Sequence, residues 1–181
     1  MPRATSRLQS EIRQSRPFAT REQECLVGLL RTADVVRRRL AAIVEARGVT
    51  LQQYNVLRIL RGAGAQGLPT LEIAARMIEQ APGVTRLLDR LERQDLVRRM
   101  RCREDRRQVL CTISAKGRTR LAELDAPVAQ ADDTSLGTLP SSEVATLIRL
   151  LDAVRTPRRK SPSGVKAGTP TPASATPPPR H

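Results

Sequence analysis

A chain of 181 residues and 20.0 kDa has the length of one ordinary domain with tails, and a net charge of +14 points to a polyanionic partner. Aromatic content of 1%, Phe18 and Tyr54 alone, excludes single-strand readers that stack bases on aromatic platforms. Three cysteines without metal-ligand spacing read as free thiols, and no apolar run or signal core is long enough for a membrane span or export, so a cytoplasmic, nucleoid-associated protein is expected.

Residues 1–19 are polar, Arg-rich and interrupted by Pro17, and are expected to form a flexible basic arm. Over 22–47 the apolar residues Leu26, Leu29, Leu30, Ala33, Val36, Leu40, Ile43 and Val44 recur at three and four, the period of a long amphipathic helix. Gly48 ends it. Thr50 is expected to cap a second helix with the stripe Tyr54, Leu57, Ile59 and Leu60, broken by Gly62, Gly64 and Gly67. Leu68-Pro69 suits a very short strand. Thr70 is the expected cap of a short helix holding Leu71, Ile73, Ala74 and Met77.

After a turn around 79–81, Pro82 suits the first position of the next helix. Its inward stripe is Val84, Leu87, Leu88 and Leu91, and its outward face is Gly83, Thr85, Arg86, Asp89, Arg90 and Arg93. Helix, short turn and helix with a polar N-terminal face form a helix-turn-helix pattern. Next comes the densest charge of the chain. Residues 98–107 hold six arginines against Glu104 and Asp105, between the anchors Leu96-Val97 and Val109-Leu110-Cys111. This reads as a β-hairpin wing spanning 97–113. A two-residue loop at Glu104-Asp105 would place Cys111 opposite Arg98. Arginine forks fit phosphate oxygens and narrow minor grooves.

Ser114 opens a helix through Leu121, Leu124 and Val128, expected to bend at Pro127. A last helix from about Ser141-Ser142 carries Val144, Leu147, Ile148, Leu151 and Val154. Residues 156–181 hold seven prolines and five basic side chains without apolar periodicity, and are expected to be disordered. The fold class is mainly α with a small β-hairpin: a winged helix-turn-helix domain over 20–155 with N- and C-terminal dimerisation helices at about 22–47 and 115–155. Those stripes exceed what one small wing domain needs. A homodimer is preferred over a monomeric bundle, because two recognition helices about 34 Å apart read a palindromic site.

The residues 51–57 (LQQYNVL), Leu71-Glu72-Ile73-Ala74, 84–92 (VTRLLDRLE), Asp105-Arg106-Arg107, Ile113-Ser114 and Gly117, in that order and spacing, resemble the MarR family of bacterial transcriptional regulators over about 22–155. The resemblance implies a homodimer that binds double-stranded operator DNA, usually as a repressor, often released by a small anionic or phenolic effector or by thiol oxidation. It places the helix beginning at Pro82 in the major groove and Arg107 in the minor groove, with Asp105 holding the wing loop. The candidate DNA-binding residues are Gln80, Gly83, Thr85, Arg86, Arg90, Arg103, Asp105, Arg106 and Arg107. Thr85 suits a phosphate or a thymine methyl, and Arg86 a guanine edge or the backbone. The other hairpin arginines suit phosphates, and Asp89 and Glu92 suit ion pairs within the protein, with Arg86, Arg93 or the wing.

Two further readings stay open. Cys25, near the start of the first long helix, is the candidate thiol of a redox-sensing regulator, although the tyrosines that accompany such a thiol in the family have no counterpart here. The basic tails would equally serve a non-specific architectural DNA protein. An enzyme is not expected: the sole histidine is His181, and no catalytic triad, metal-ligand cluster or phosphate-cradling glycine loop is present. No cofactor is expected, and no membrane partner.

Overall fold

Side-chain caps set where several helices begin in the computed structural model, which describes residues 6–79, 83–101 and 108–156. Ser6 opens α1 (Arg7–Glu11) and Thr20 opens α2 (Arg21–Glu45), each accepting a backbone N–H three residues on. Helix α3 (Leu51–Ala63) starts with a reciprocal capping box. Thr50 accepts from the Gln53 N–H at 3.3 Å, and the Gln53 side chain accepts from the Thr50 N–H at 2.8 Å. A 3-10 turn at Gly64–Gln66 leads into strand β1 (Leu68–Pro69) and helix α4 (Thr70–Arg76). Helix α5 spans Val84–Arg93, β2 Val97–Arg101, β3 Val109–Ile113 and α6 Ala115–Leu136.

The chain divides into two units, residues 1–138 and 139–181. In the first, β3 is the middle strand of an antiparallel sheet ordered β1-β3-β2. The core collects one face from each element: Val44 of α2, Leu57 and Leu60 of α3, Ile73 of α4, Leu88 and Leu91 of α5, Cys111 of β3, and Leu121 and Leu124 of α6 are all fully buried. Each such leucine contributes about 1.5–3 kcal/mol. Helix α6 approaches the sheet closely because residue 117 is glycine. A Cβ there would lie 2.2 Å from the Leu96 carbonyl oxygen. In the second unit, helix α7 (Ser141–Arg155) has Glu143 in its first turn and Arg155, paired with Asp152, in its last. None of its residues is buried.

Several sequence expectations need correction. The arm expected over 1–19 includes the helix α1, and Phe18 within it is buried, with Glu11 paired to Arg31 of α2 at 3.1 Å. Capping by Ser6 and the apolar anchors Leu8 and Phe18 outweigh the polar composition. Gly62 does not break the second helix, which runs on to Ala63 with Gly64 as its left-handed cap at φ 69°. Thr70 is the first residue inside α4 rather than its cap, and Pro69 occupies the cap position. As expected, the helix opened by Ser114 runs on through Val128, with Pro127 inside it. The hairpin register is shifted by one residue: Cys111 stands opposite Arg99, not Arg98. The arm's first five residues, Pro82, the wing tip at 102–107 and the segment 157–181 lie outside the described residues.

Candidate nucleic-acid interface

The helix-turn-helix is built by α4 and α5 on the floor of α3. In α5, Val84, Leu87, Leu88 and Leu91 are buried, so the helix can present only its opposite face. That face exposes Gly83, Thr85, Arg86, Arg90 and Arg93. Arg93 folds back onto its own helix, its Nε 3.3 Å from the Asp89 carbonyl. Among the described residues, Arg86 and Arg90 have no carboxylate within ion-pair distance. Two guanidinium groups thus project beside the Thr85 hydroxyl. The turn before α5 is held from below: the buried Asn55 side chain accepts a hydrogen bond from the Ile78 N–H at 3.1 Å, and Met77 is buried.

The wing is fastened to α5 by one arginine. Strand alternation puts Val97, Arg99 and Arg101 on one face of β2, the face that Cys111 and Ile113 share on β3. Arg99 therefore turns inward. It reaches Asp89 at 2.7 Å, donates to the Thr85 carbonyl at 3.1 Å, and brings its Nε to 3.7 Å from Glu92. The last distance is too long for a hydrogen bond, and that buried Nε has no hydrogen-bond partner among the described residues. With its side chain only 21% exposed and two carboxylates against it, Arg99 is neutralised within the protein. This corrects its expected role as a phosphate contact. Asp89 and Glu92, expected to pair within the protein, do pair with the wing.

The other end of α5 is closed by a Schellman motif. The Leu96 N–H donates to the Leu91 carbonyl at 2.9 Å and the Asp95 N–H to the Glu92 carbonyl at 2.9 Å, with Asp95 left-handed at φ 57°. Ser114 locks this turn. Its hydroxyl donates to the Asp95 carbonyl at 2.5 Å and accepts the Gly117 N–H at 2.9 Å, so one side chain holds the end of α5 and the start of α6.

Behind the helix-turn-helix, α2, α3 and α6 bound a cleft of about 430 Å³. Val36, Leu40, Leu51 and Met77 give it an apolar wall, while Arg37, Arg58, Glu79 and Asp132 stand in its lining. Tyr54 is its aromatic group. Burial pushes the Tyr54 phenol above its ordinary pKa, opposed by the neighbouring Arg58, whose guanidinium lies 5.8 Å from the ring centre. The phenol stays a neutral hydrogen-bonding group across the physiological range.

The MarR transcription factor from Planctomyces limnophilus is 38% identical in sequence, and its crystal structure is covered over 98% of its length by 75% of this chain, with a TM-score of 0.58. The chain belongs to the MarR family. The family model matches residues 49–109, the stretch that contains α3, α4, α5 and β2 and ends at the first residue of β3. The curated relative FarR of Neisseria gonorrhoeae, an HTH-type transcriptional regulator, is 24% identical over 108 residues, covering 60% of this chain and 73% of FarR. A structure of S. aureus MepR in complex with DNA shares the fold at 21% identity, with a TM-score of 0.65 over 70% of this chain and 93% of MepR. The protein is thus a MarR-family transcriptional regulator with a winged-helix DNA-binding fold.

In this MarR-family frame, four expected DNA-facing residues, Gly83, Thr85, Arg86 and Arg90, come together on the exposed side of α5. Gln80, Arg103, Asp105, Arg106 and Arg107 lie outside the described residues. Cys25 is exposed on α2, and Cys111 is buried with its thiol pushed up, chiefly by burial. No described helix is long and apolar enough to cross a membrane. Sequence reasoning assigned no role to Asn55 or to the inward turn of Arg99. The signals were present: Asn55 is a lone amide inside the apolar run from Tyr54 to Leu57, and Arg99 alternates in step with the anchor Val97.

Proposed function

We propose that this chain is a homodimeric, sequence-specific repressor of double-stranded DNA, released by a small anionic or phenolic effector. The observation that carries the reading is the division of α5, with four apolar residues sealed in the core and the side chains of Thr85, Arg86 and Arg90 projecting without an ion-pair or hydrogen-bond partner among the described residues. In the proposed complex Gln80, Gly83, Thr85, Arg86 and Arg90 enter the major groove. Arg103, Arg106 and Arg107 take phosphates and the minor groove, with Asp105 bracing the wing tip. Each specific base contact contributes about 1–3 kcal/mol of discrimination.

The dimer is supported by apolar residues that a single copy leaves uncovered. Leu26 and Leu30 of α2 are 56% and 70% exposed, and Ile148, Leu150 and Val154 of α7 are each half exposed or more. A twofold partner would bury them. The cleft beside Tyr54 suits the effector, having an apolar body and, among its charged lining, the arginines Arg37 and Arg58 set against Glu79 and Asp132. Selection of bound duplexes from a random pool tests the reading. A palindromic motif with half-sites one helical turn apart is expected, together with affinity lost on Arg86→Glu or Arg107→Glu. Equal affinity for selected and random duplex would overturn it in favour of non-specific binding.

A further inference from the structure

The wing sheet has two faces, and its inner face is the one the core covers. Val97, Cys111 and Ile113 lie on that face and are buried. The strand period of two sends Arg98 and Met100 of β2, with Leu110 and Thr112 of β3, to the other side. There the register sets Pro69, Leu110 and Met100 in one apolar row across all three strands. Met100 is 57% exposed, and Leu110 and Pro69 are partly buried. A solvated sheet face is ordinarily polar, so this row departs from the usual alternation. Arg98 stands exposed beside it, two residues from Met100 on the same face. The three strands carry no Asp or Glu, and the nearby carboxylates of α5, Asp89 and Glu92, face Arg99 instead.

We propose that this outer face of the wing root packs on the deoxyribose edges of DNA, with Met100 and Leu110 against sugar C–H groups and Arg98 on a flanking phosphate. The inference rests on reading the exposed side of α5 as DNA-facing. A DNA strand presents apolar sugars between anionic phosphates, and this face offers an apolar row beside a cation, with no acid on its strands. Methionine, leucine and proline are among the apolar side chains that minor-groove proteins bring to the duplex. The face is also continuous with α5, because Arg99, between Arg98 and Met100 in sequence, holds Asp89 and the Thr85 carbonyl. A second copy fits less well: a twofold contact through the row sets Arg98 near its own counterpart. Packing on sugars displaces water rather than counterions, so it adds affinity that salt does not erode. Such a contact fixes the position of the wing without reading a base.

The test uses the full chain and a selected duplex, followed by anisotropy over a salt series. Met100→Thr keeps a strand-forming residue and is expected to weaken binding about five- to tenfold at every salt concentration, with the slope of log affinity against log salt unchanged. Met100→Lys, at the same half-exposed position, puts a cation against the backbone and should steepen that slope by about one unit. Urea midpoints equal to the parent's show that both variants are folded. Parental affinity in Met100→Thr together with a parental slope in Met100→Lys would overturn the inference. So would a loss confined to duplexes with two adjacent operators, which assigns the row to a neighbouring copy. Arg86→Glu is measured beside them. Binding lost in Arg86→Glu, with both Met100 variants like the parent, refutes the sugar contact alone. Equal affinity of the parent for selected and random duplex, with the Met100 effects intact, refutes the repressor reading and leaves the sugar contact standing.

Discussion

Two adjacent arginines in β2 do opposite work. Arg98 is exposed on the outer face, while Arg99 is turned in against Asp89, Glu92 and the Thr85 carbonyl. Their removal should therefore read differently against salt. Arg98→Gln is expected to flatten the dependence of log affinity on log salt by about one unit, the loss of a single phosphate neutralisation. Arg99→Gln should leave that slope close to the wild-type value yet weaken the selected duplex about tenfold, because the wing loses its register on α5 and two carboxylates are left uncompensated. Fluorescence anisotropy over a salt series checks both. Asp95 offers a test in the other direction. It holds a left-handed conformation at the carbonyl end of α5, where a negative charge is unfavourable. Asp95→Asn keeps the short polar side chain that tolerates this conformation and should raise stability by about 0.3–1 kcal/mol, seen as a higher urea midpoint at unchanged slope.

At the scale of elements, two glycines in helices call for opposite outcomes. Gly117 sits where α6 meets the Leu96 carbonyl, and an added methyl has nowhere to go. Gly117→Ala is expected to cost about 1–3 kcal/mol by forced displacement of α6 from the sheet. Gly62 lies in α3 with open space around it, so Gly62→Ala should instead add about 0.5–1 kcal/mol of helix propensity. Thermal melts of the two variants separate a packing role from a merely tolerated glycine. The elements themselves were largely legible from sequence, since Thr50 and Ser114 announce their helices, and the stripe of α5 names its buried leucines. The hairpin register was not legible. A one-residue slip changes which arginine faces the core, and only the placement of Asp89 and Glu92 on α5 chooses between the alternatives. The α1 turn was hidden for a related reason: Leu8 and Phe18 are isolated apolar residues in a polar stretch, and Leu8 finds its cover only beside Gly28 of α2. The cleft could not be read in advance because its lining comes from α2, α3, the turn and α6 at once.

For the molecule as a whole, the uncovered leucines of α2 would connect the proposed dimer to DNA recognition. Leu30 is 70% exposed in one copy, a large apolar side chain without a covering neighbour. Leu30→Glu is expected to yield a folded monomer, with the molecular mass halved in sedimentation and the melting profile little changed. Its affinity for a palindromic duplex should drop at least a hundredfold, because each half-site is then bound alone and the second loses its effective concentration. A half-site duplex should be bound equally by the variant and the parent, which separates loss of pairing from damage to the reading head.

Helix α5 is secured unequally at its two ends. Ser114 and the Schellman turn hold its heel, while its toe begins at a glycine without a side-chain cap and is tied to the wing by Arg99 at the Thr85 carbonyl. A needle mounted this way cannot swing alone: a push that displaces Thr85 pulls on Arg99, and the root of the wing is dragged along. Release from the groove would then strike bases and phosphates together, so the protein would lose its sequence and its grip on the double strand in one step.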